Sequence, residues 1–194
     1  MNAGSKPVMS SIRTNLEFKA RVSDHEEVLS AFVKMGAKVV GVLHQVDTYF
    51  NVIDGRMKLR ESDDREAELI FYQREERSSD RMESLYQILK VSDLRLKEIL
   101  SKALGTKVVV RKTRRLLHWK NARIHLDDVE ALGKFLEFEV VLSEETVPIR
   151  ESHAADLATL GALKEVALPF VEQEIRCSYS DLMLSERSRS ATHL

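Results

Sequence analysis

Cysteine is almost missing, with Cys177 the single one in 194 residues. An internal disulfide and a cysteine-rich zinc site are thereby excluded, and a reducing compartment suits the composition. Proline is scarce, at three residues, and no internal repeat or linker-like break divides the chain. Aromatic residues make up only 6%, without the aromatic and basic run of an RNA-reading sheet, which argues against nucleic acid as a partner. No apolar stretch approaches the ~20 residues that cross a bilayer, and the N-terminus has no apolar signal core. The G-x-x-x-x-G-K-[ST] pattern of P-loop nucleotide enzymes is absent. Charge of one sign is lacking as well: Lys and Arg total 30 against 31 Asp and Glu, so no overall field attracts a polyanion or a membrane. These absences lead us to expect a cytoplasmic protein without a membrane partner. They carry no signal for oligomeric state.

What remains is a chain that is 43% hydrophobic and 31% charged, the profile of a globular domain. We expect one domain over residues 12–184, with flexible ends at 1–11 and at the Ser/Arg-rich 185–194. Three stretches have helical periodicity. Ser23–Met35 opens with Ser23 and Glu26 at capping-box spacing and stops at Gly36. Ser92–Leu104 stops at Gly105, and Ser152–Ala167 is weakened by Gly161. The rest alternates with period two, as half-buried strands do. Leu16, Phe18, Ala20 and Val22 interleave with Asn15, Glu17, Lys19 and Arg21. Similar alternation over 45–50, 56–60, 69–74, 85–91, 109–119, 123–127 and 136–142 gives about eight strands, with short turns that suit antiparallel hairpins.

A charged face on an antiparallel sheet is usually just solvated. Here three amphipathic helices need apolar sheet surface to cover. If they cover the outside of a barrel, the charged faces turn inward, and eight strands close around a lumen of small-ligand size. Carboxylates in such a lumen are hard ligands for Mg²⁺ or Mn²⁺, while Lys and Arg match a chain of phosphates.

Seven short motifs then occur in order. They are Asn15-Leu16-Glu17-Phe18-Lys19, Gln45-Val46-Asp47-Thr48-Tyr49-Phe50, Lys58-Leu59-Arg60 leading to Leu69–Arg74, Lys112-Thr113-Arg114, Arg123-Ile124-His125-Leu126-Asp127, Leu132-Gly133 through Glu137-Phe138-Glu139, and Ser178-Tyr179-Ser180-Asp181-Leu182-Met183. Together they resemble the CYTH superfamily of triphosphate-tunnel proteins, named for class IV adenylyl cyclase and thiamine triphosphatase. The resemblance runs from about Ile12 to Leu184 and is nearest the cyclase-like branch.

It implies an α+β fold: an eight-stranded antiparallel β-barrel, the triphosphate tunnel, with amphipathic helices packed outside. It implies a small-molecule triphosphate as ligand and Mg²⁺ or Mn²⁺ as cofactor. Glu17, Asp127, Glu137 and Glu139 become metal-ligand candidates. Lys19, Lys58, Arg60, Arg74, Lys112, Arg114 and Arg123 become phosphate ligands, with Lys19, Arg60, Arg114 and Arg123 also expected to stabilise charge during reaction. Asn15 stands where the signature has a first glutamate, which removes one charge from the expected metal sites. His125 reads equally as a proton carrier or a hydrogen-bonded structural residue. The leading functional reading is metal-dependent hydrolysis of inorganic triphosphate, thiamine triphosphate or a nucleoside triphosphate. Cyclisation of ATP by a class IV-type adenylyl cyclase is the alternative, and a non-catalytic polyphosphate- or nucleotide-binding module is a third.

Overall fold

A computed structural model describes residues 13–63, 65–74, 82–142 and 153–192. The expected flexible end at 1–11 lies outside these residues. In chain order the elements are β1 (Arg13–Arg21), α1 (His25–Lys34), β2 (Lys38–Phe50), β3 (Arg56–Ser62), β4 (Ala67–Arg74), β5 (Met82–Val91) and α2 (Arg95–Leu104). There follow β6 (Thr106–Trp119), β7 (Ala122–Val129), β8 (Gly133–Val141), α3 (Ala154–Ala167), β9 (Gln173–Glu174) and α4 (Tyr179–Thr192).

The strands run in the order β5-β4-β3-β2-β6-β7-β8-β1, and every neighbouring pair is antiparallel. β1 then returns to β5, from Arg13 opposite Tyr86 to Glu17 opposite Met82, which brings eight strands into a ring. Where β5 leaves that edge of β1, the two-residue β9 takes it up at Ala20 and Arg21. The backbone groups of β1 are thus paired along both edges for most of its length, as a closed sheet requires.

Alternation decides which side faces which. On β1, Leu16, Phe18 and Ala20 are buried on the outer face with Ile124 and Leu126 of β7 and Leu136, Phe138 and Val140 of β8. Val28 and Phe32 of α1 and Leu160, Leu163 and Ala167 of α3 cover them. Phe138 stacks on Phe18 at 5.4 Å and meets Phe32 edge-on at 5.5 Å. Burying one such side chain is worth roughly 1.5–3 kcal/mol, so this outer layer fixes the orientation of the strands. Leu96 and Leu100 of α2 cover a second cluster around Phe50 and Leu59. The intervening residues therefore point into the barrel, as the helix-covering argument expects.

The helix ends differ in detail from the expectation. Asp24, not Ser23, caps α1, its carboxylate accepting the Glu26 N–H at 2.6 Å. α2 begins at Arg95, with Asp93 accepting the Arg95 N–H at 3.0 Å. The chain beyond Ser185, expected as a flexible end, continues α4 as helix to Thr192, although Ser185–Arg189 are exposed. α4 starts with a capping box. The Ser178 backbone N–H donates to Asp181 Oδ2 at 3.1 Å, and the Asp181 N–H donates to Ser178 Oγ at 3.2 Å. Among the described residues no helix is long and apolar enough to cross a membrane.

Candidate functional site

The lumen contains a cavity of about 270 Å³ lined by the inward residues of all eight barrel strands and by the start of α4. It gathers Glu17, Lys19, Lys58, Arg60, Lys112, Arg114, Arg123, Glu137 and Glu139, all expected from the sequence. Asp127 lies below this lining, fully buried. Arg74 closes β4 opposite Ser84, and its side chain is outside the described set.

Strand register determines who meets whom. β2 and β3 place Asp47 opposite Arg60 and Tyr49 opposite Lys58. The Asp47 carboxylate accepts two bonds from Arg60, Nε at 2.7 Å and Nη2 at 2.8 Å, and one from Lys58 Nζ at 2.8 Å. β6 and β7 place Arg114 opposite Asp127. There Arg114 Nε and Nη2 donate to Asp127 at 2.6 and 2.5 Å, and Lys112 Nζ lies 3.4 Å away. The Tyr179 hydroxyl, from α4, donates to the same carboxylate at 3.0 Å. Its ring sits 4.4 Å from Lys19 Nζ and 5.1 Å from Lys112 Nζ, so one aromatic ring is within cation–π range of two lysines.

A third cluster lies along β1, β7 and β8. Lys19 is opposite Glu137 and bonds it at 3.0 Å, and Arg114 reaches the same carboxylate at 2.7 Å. Glu17 is opposite Glu139, which Arg123 pairs at 2.9 Å. His125 Nδ1 lies 3.4 Å from Glu137 and 4.0 Å from Glu139, and donor atoms of these three residues lie within 4.8 Å of one another. Two carboxylates and an imidazole on facing strands form a donor set that suits a divalent cation, and Glu17 lines the same cavity from β1. Asp127 has another environment. Its oxygens are engaged by Arg114, Lys112 and Tyr179, so it stands in an ion-pair bracket and outside the Glu137, Glu139 and His125 group.

Electrostatics follow from burial and pairing. Burial alone would raise the Asp47 carboxyl, but Arg60 and Lys58 hold it well below the usual carboxylate range. Burial likewise opposes ionisation of Asp127 and Glu137. Arg114 and Lys112 keep Asp127 low, and Lys19 with the His125 hydrogen bond keeps Glu137 low. Burial, then Arg114, brings Lys112 down to about 7, against a partial restoring pull from Asp127. Burial and Arg114 also lower His125, which favours the neutral ring that can act as a ligand. The Tyr179 phenol is raised by burial and by the Asp127 charge, so it remains a donor.

Several lining residues escaped the sequence reading. Tyr86 and Arg65 line the cavity, as do Tyr72, which the Leu69–Arg74 motif contained without a role, and Glu68, which as a strand-face carboxylate reads as solvent-facing or paired. Tyr179 belonged to a recognised motif, but its alternation partner is a helix, so strand periodicity gave no hint that it enters the barrel. Asn15 is 3% exposed and lines the cavity, on the lumen face with Glu17 and Lys19.

Comparisons with known proteins agree with this architecture. The family model described as the CYTH domain matches residues 13–150. A Methanocaldococcus jannaschii protein, provisionally named an adenylate cyclase, is 30% identical over 138 residues, spanning 66% of this chain and 78% of its own. A Pyrococcus horikoshii structure superposes with a TM-score of 0.68 at 19% identity, covering 87% of this chain and 98% of that one. A Hippeastrum protein studied as an adenylyl cyclase, and described as having a dominant triphosphatase activity, superposes at 0.58 with 14% identity, covering 89% and 96%.

Proposed function

The chain belongs to the CYTH domain family, and from that premise we propose that it hydrolyses a triphosphate compound in its lumen with a divalent cation. One observation carries the reading: cations from β1, β3, β6 and β7 and carboxylates from β1 and β8 converge on one cavity of about 270 Å³. So many charges of both signs, held largely out of water, are costly unless a polyanion and a metal ion complete their pairing.

Lys19, Lys58, Arg60, Lys112, Arg114 and Arg123 bind and orient the phosphates, the arginines offering planar forks and the lysines point charges. Arg74, at the end of β4, is a further phosphate ligand in this reading. Glu17, Glu137 and Glu139, with His125 in reach, are the residues that hold the ion. Mg²⁺ or Mn²⁺ there supplies charge neutralisation at phosphoryl oxygens. The imidazole nitrogen tilts this donor set towards Mn²⁺. Lys19, Arg60, Arg114 and Arg123 stabilise the negative charge that moves onto the leaving phosphate as the bridging P–O bond breaks and a water oxygen bonds to phosphorus. Burial excludes bulk water, so these charges act at full strength.

The cyclase reading shares the whole phosphate grip. Its support is the name of the M. jannaschii relative, together with the apolar Leu43, Leu116 and Ile88, which line the same cavity and can receive a base. A product screen decides between the two. The protein is incubated with tripolyphosphate, thiamine triphosphate and ATP, each with Mg²⁺ or Mn²⁺. Orthophosphate supports hydrolysis, cyclic AMP with pyrophosphate supports cyclisation, and binding without any product supports a passive module.

A further inference from the structure

The two Lys-x-Arg pairs are built alike. Lys58-Leu59-Arg60 lies on β3 and Lys112-Thr113-Arg114 on β6, and each arginine faces an aspartate directly opposite on the next strand. Each aspartate takes the Nε and Nη2 of its arginine on its two oxygens. Each also takes the ammonium of the lysine two residues earlier, at 2.8 Å for Asp47 and 3.4 Å for Asp127. A tyrosine ring lies beside each lysine, Tyr49 at 5.3 Å from Lys58 and Tyr179 at 5.1 Å from Lys112. The same bracket thus occurs twice around the barrel, although the second tyrosine comes from a helix.

The arrangement leaves a defined edge on each guanidinium. Nε and Nη2 are spent on the carboxylate, no described contact occupies Nη1 of Arg60 or Arg114, and both side chains line the cavity. A long side chain with one edge clamped loses most of its rotational freedom before ligand arrives. Asp47 cancels one of the two positive charges of the Lys58–Arg60 bracket, leaving a net cation that is aimed, whereas in the second bracket Arg114 Nη2 also donates to Glu137 at 2.7 Å. A metal ion at Asp127 would instead have to displace a two-pronged arginine from a residue with 0% exposure.

We propose that Asp47 and Asp127 are matched positioning residues, each clamping a Lys-x-Arg pair so that the free guanidinium edge meets the triphosphate. This rests on the triphosphate reading above and adds to it a role for two carboxylates that touch neither substrate nor metal.

The test uses the full chain, tripolyphosphate and Mn²⁺, with Mn²⁺ binding followed by electron paramagnetic resonance of the free ion. Asp47→Asn and Asp127→Asn should lower kcat by about 10–10²-fold, the scale of a misplaced catalytic group, with KM moving less. Mn²⁺ affinity should stay near that of the parent, whereas Glu139→Gln should lose it. Arg60→Lys keeps the charge but not the fork, and should lower kcat by a similar factor. Combining it with Asp47→Asn should add little, because the two act as a unit. If the asparagine variants do not fold, Arg60→Lys and Arg114→Lys carry the test, with reduced kcat and unchanged Mn²⁺ affinity expected. Loss of Mn²⁺ affinity in Asp127→Asn equal to that in Glu139→Gln overturns the proposal, and so do additive losses in the double variant or unchanged kcat in the arginine variants. A parent that neither binds nor cleaves tripolyphosphate overturns the functional reading itself, and that outcome is seen in the parent alone.

Discussion

Asp47 carries three charge-assisted hydrogen bonds in a setting that is 1% exposed, so its ionised form is part of the folded state. Its carboxyl is depressed in the folded chain, and so is that of Asp127, where burial is outweighed by Arg114 and Lys112. A depressed folded value contributes stability above the unfolded value, near 3.9, which is lost as pH falls towards the folded value. Urea unfolding should therefore hold steady from pH 7 to 5 and weaken steeply below about pH 4. Asp47→Asn should flatten part of that acid slope. At neutral pH it should cost about 3–5 kcal/mol, because Lys58 and Arg60 lose their common partner. Lys112 behaves in the opposite sense. With its value brought to about 7 by burial and Arg114, it is largely neutral at pH 8 in the free protein. A bound polyanion restores the charged form, so binding at pH 8 should take up a proton. Calorimetry in buffers of different ionisation enthalpy should show more uptake for the parent than for Lys112→Met, and equal uptake would remove Lys112 from the phosphate grip.

At the scale of elements, α4 is the piece that joins fold to site. Its first turn is held by the Ser178–Asp181 capping box, and Arg56 Nη2 donates to Asp181 at 2.8 Å, tying the helix to β3. Tyr179 then enters the lumen beside Lys19 and Lys112. Asp181→Ala should cost about 1 kcal/mol through the lost cap, seen as a lower Tm. It should also weaken triphosphate binding through Tyr179, although Asp181 itself touches no phosphate. Unchanged affinity in a folded Asp181→Ala variant would detach α4 from the site. The sequence displayed strands such as β1 well because they alternate and have one apolar face to bury, as Leu16, Phe18 and Ala20 do opposite Glu17 and Lys19, whereas the start of β2, from Lys38 to His44, does not alternate and lay outside the expected strand at 45–50. α4 was hidden because its apolar residues, Tyr179, Leu182, Met183 and Leu184, sit in the first turns and Ser/Arg-rich exposed turns follow. β9 is two residues long, too short for any period. The charged residues of the site were legible by type and face. Their partners were not, since the pairing of Asp127 with Arg114 depends on register, and the approach of Tyr179 depends on where a helix docks.

At the scale of the whole molecule, the outside of the barrel is a conventional apolar layer, while the inside is an assembly of charges waiting for a ligand of matching charge. Glu137 and Glu139 lie beside cations of the proposed phosphate grip, with Lys19 and Arg114 on Glu137 and Arg123 on Glu139. In the proposed reading, metal and triphosphate compete with, and replace, these internal ion pairs. If the ion binds the folded chain alone, it stabilises by RT ln(1 + [L]/Kd), about 2.7 kcal/mol at a hundredfold excess over Kd. Mn²⁺ should accordingly raise the unfolding temperature, tripolyphosphate should raise it further, and a chelator should reverse the metal-dependent part. Glu139→Gln should abolish the shift given by metal while leaving most of the shift given by tripolyphosphate, because the β3 and β6 cations remain. Arg60→Ala should do the converse. Asn15→Glu restores a carboxylate beside Glu17 on the lumen face of β1, and should enlarge the Mn²⁺ shift if that end of the site is short of charge. Equal loss of both shifts in Glu139→Gln and Arg60→Ala would show that metal and phosphate do not occupy separate parts of the lumen, and the division of labour between the β8 carboxylates and the β3 cations would fall with it.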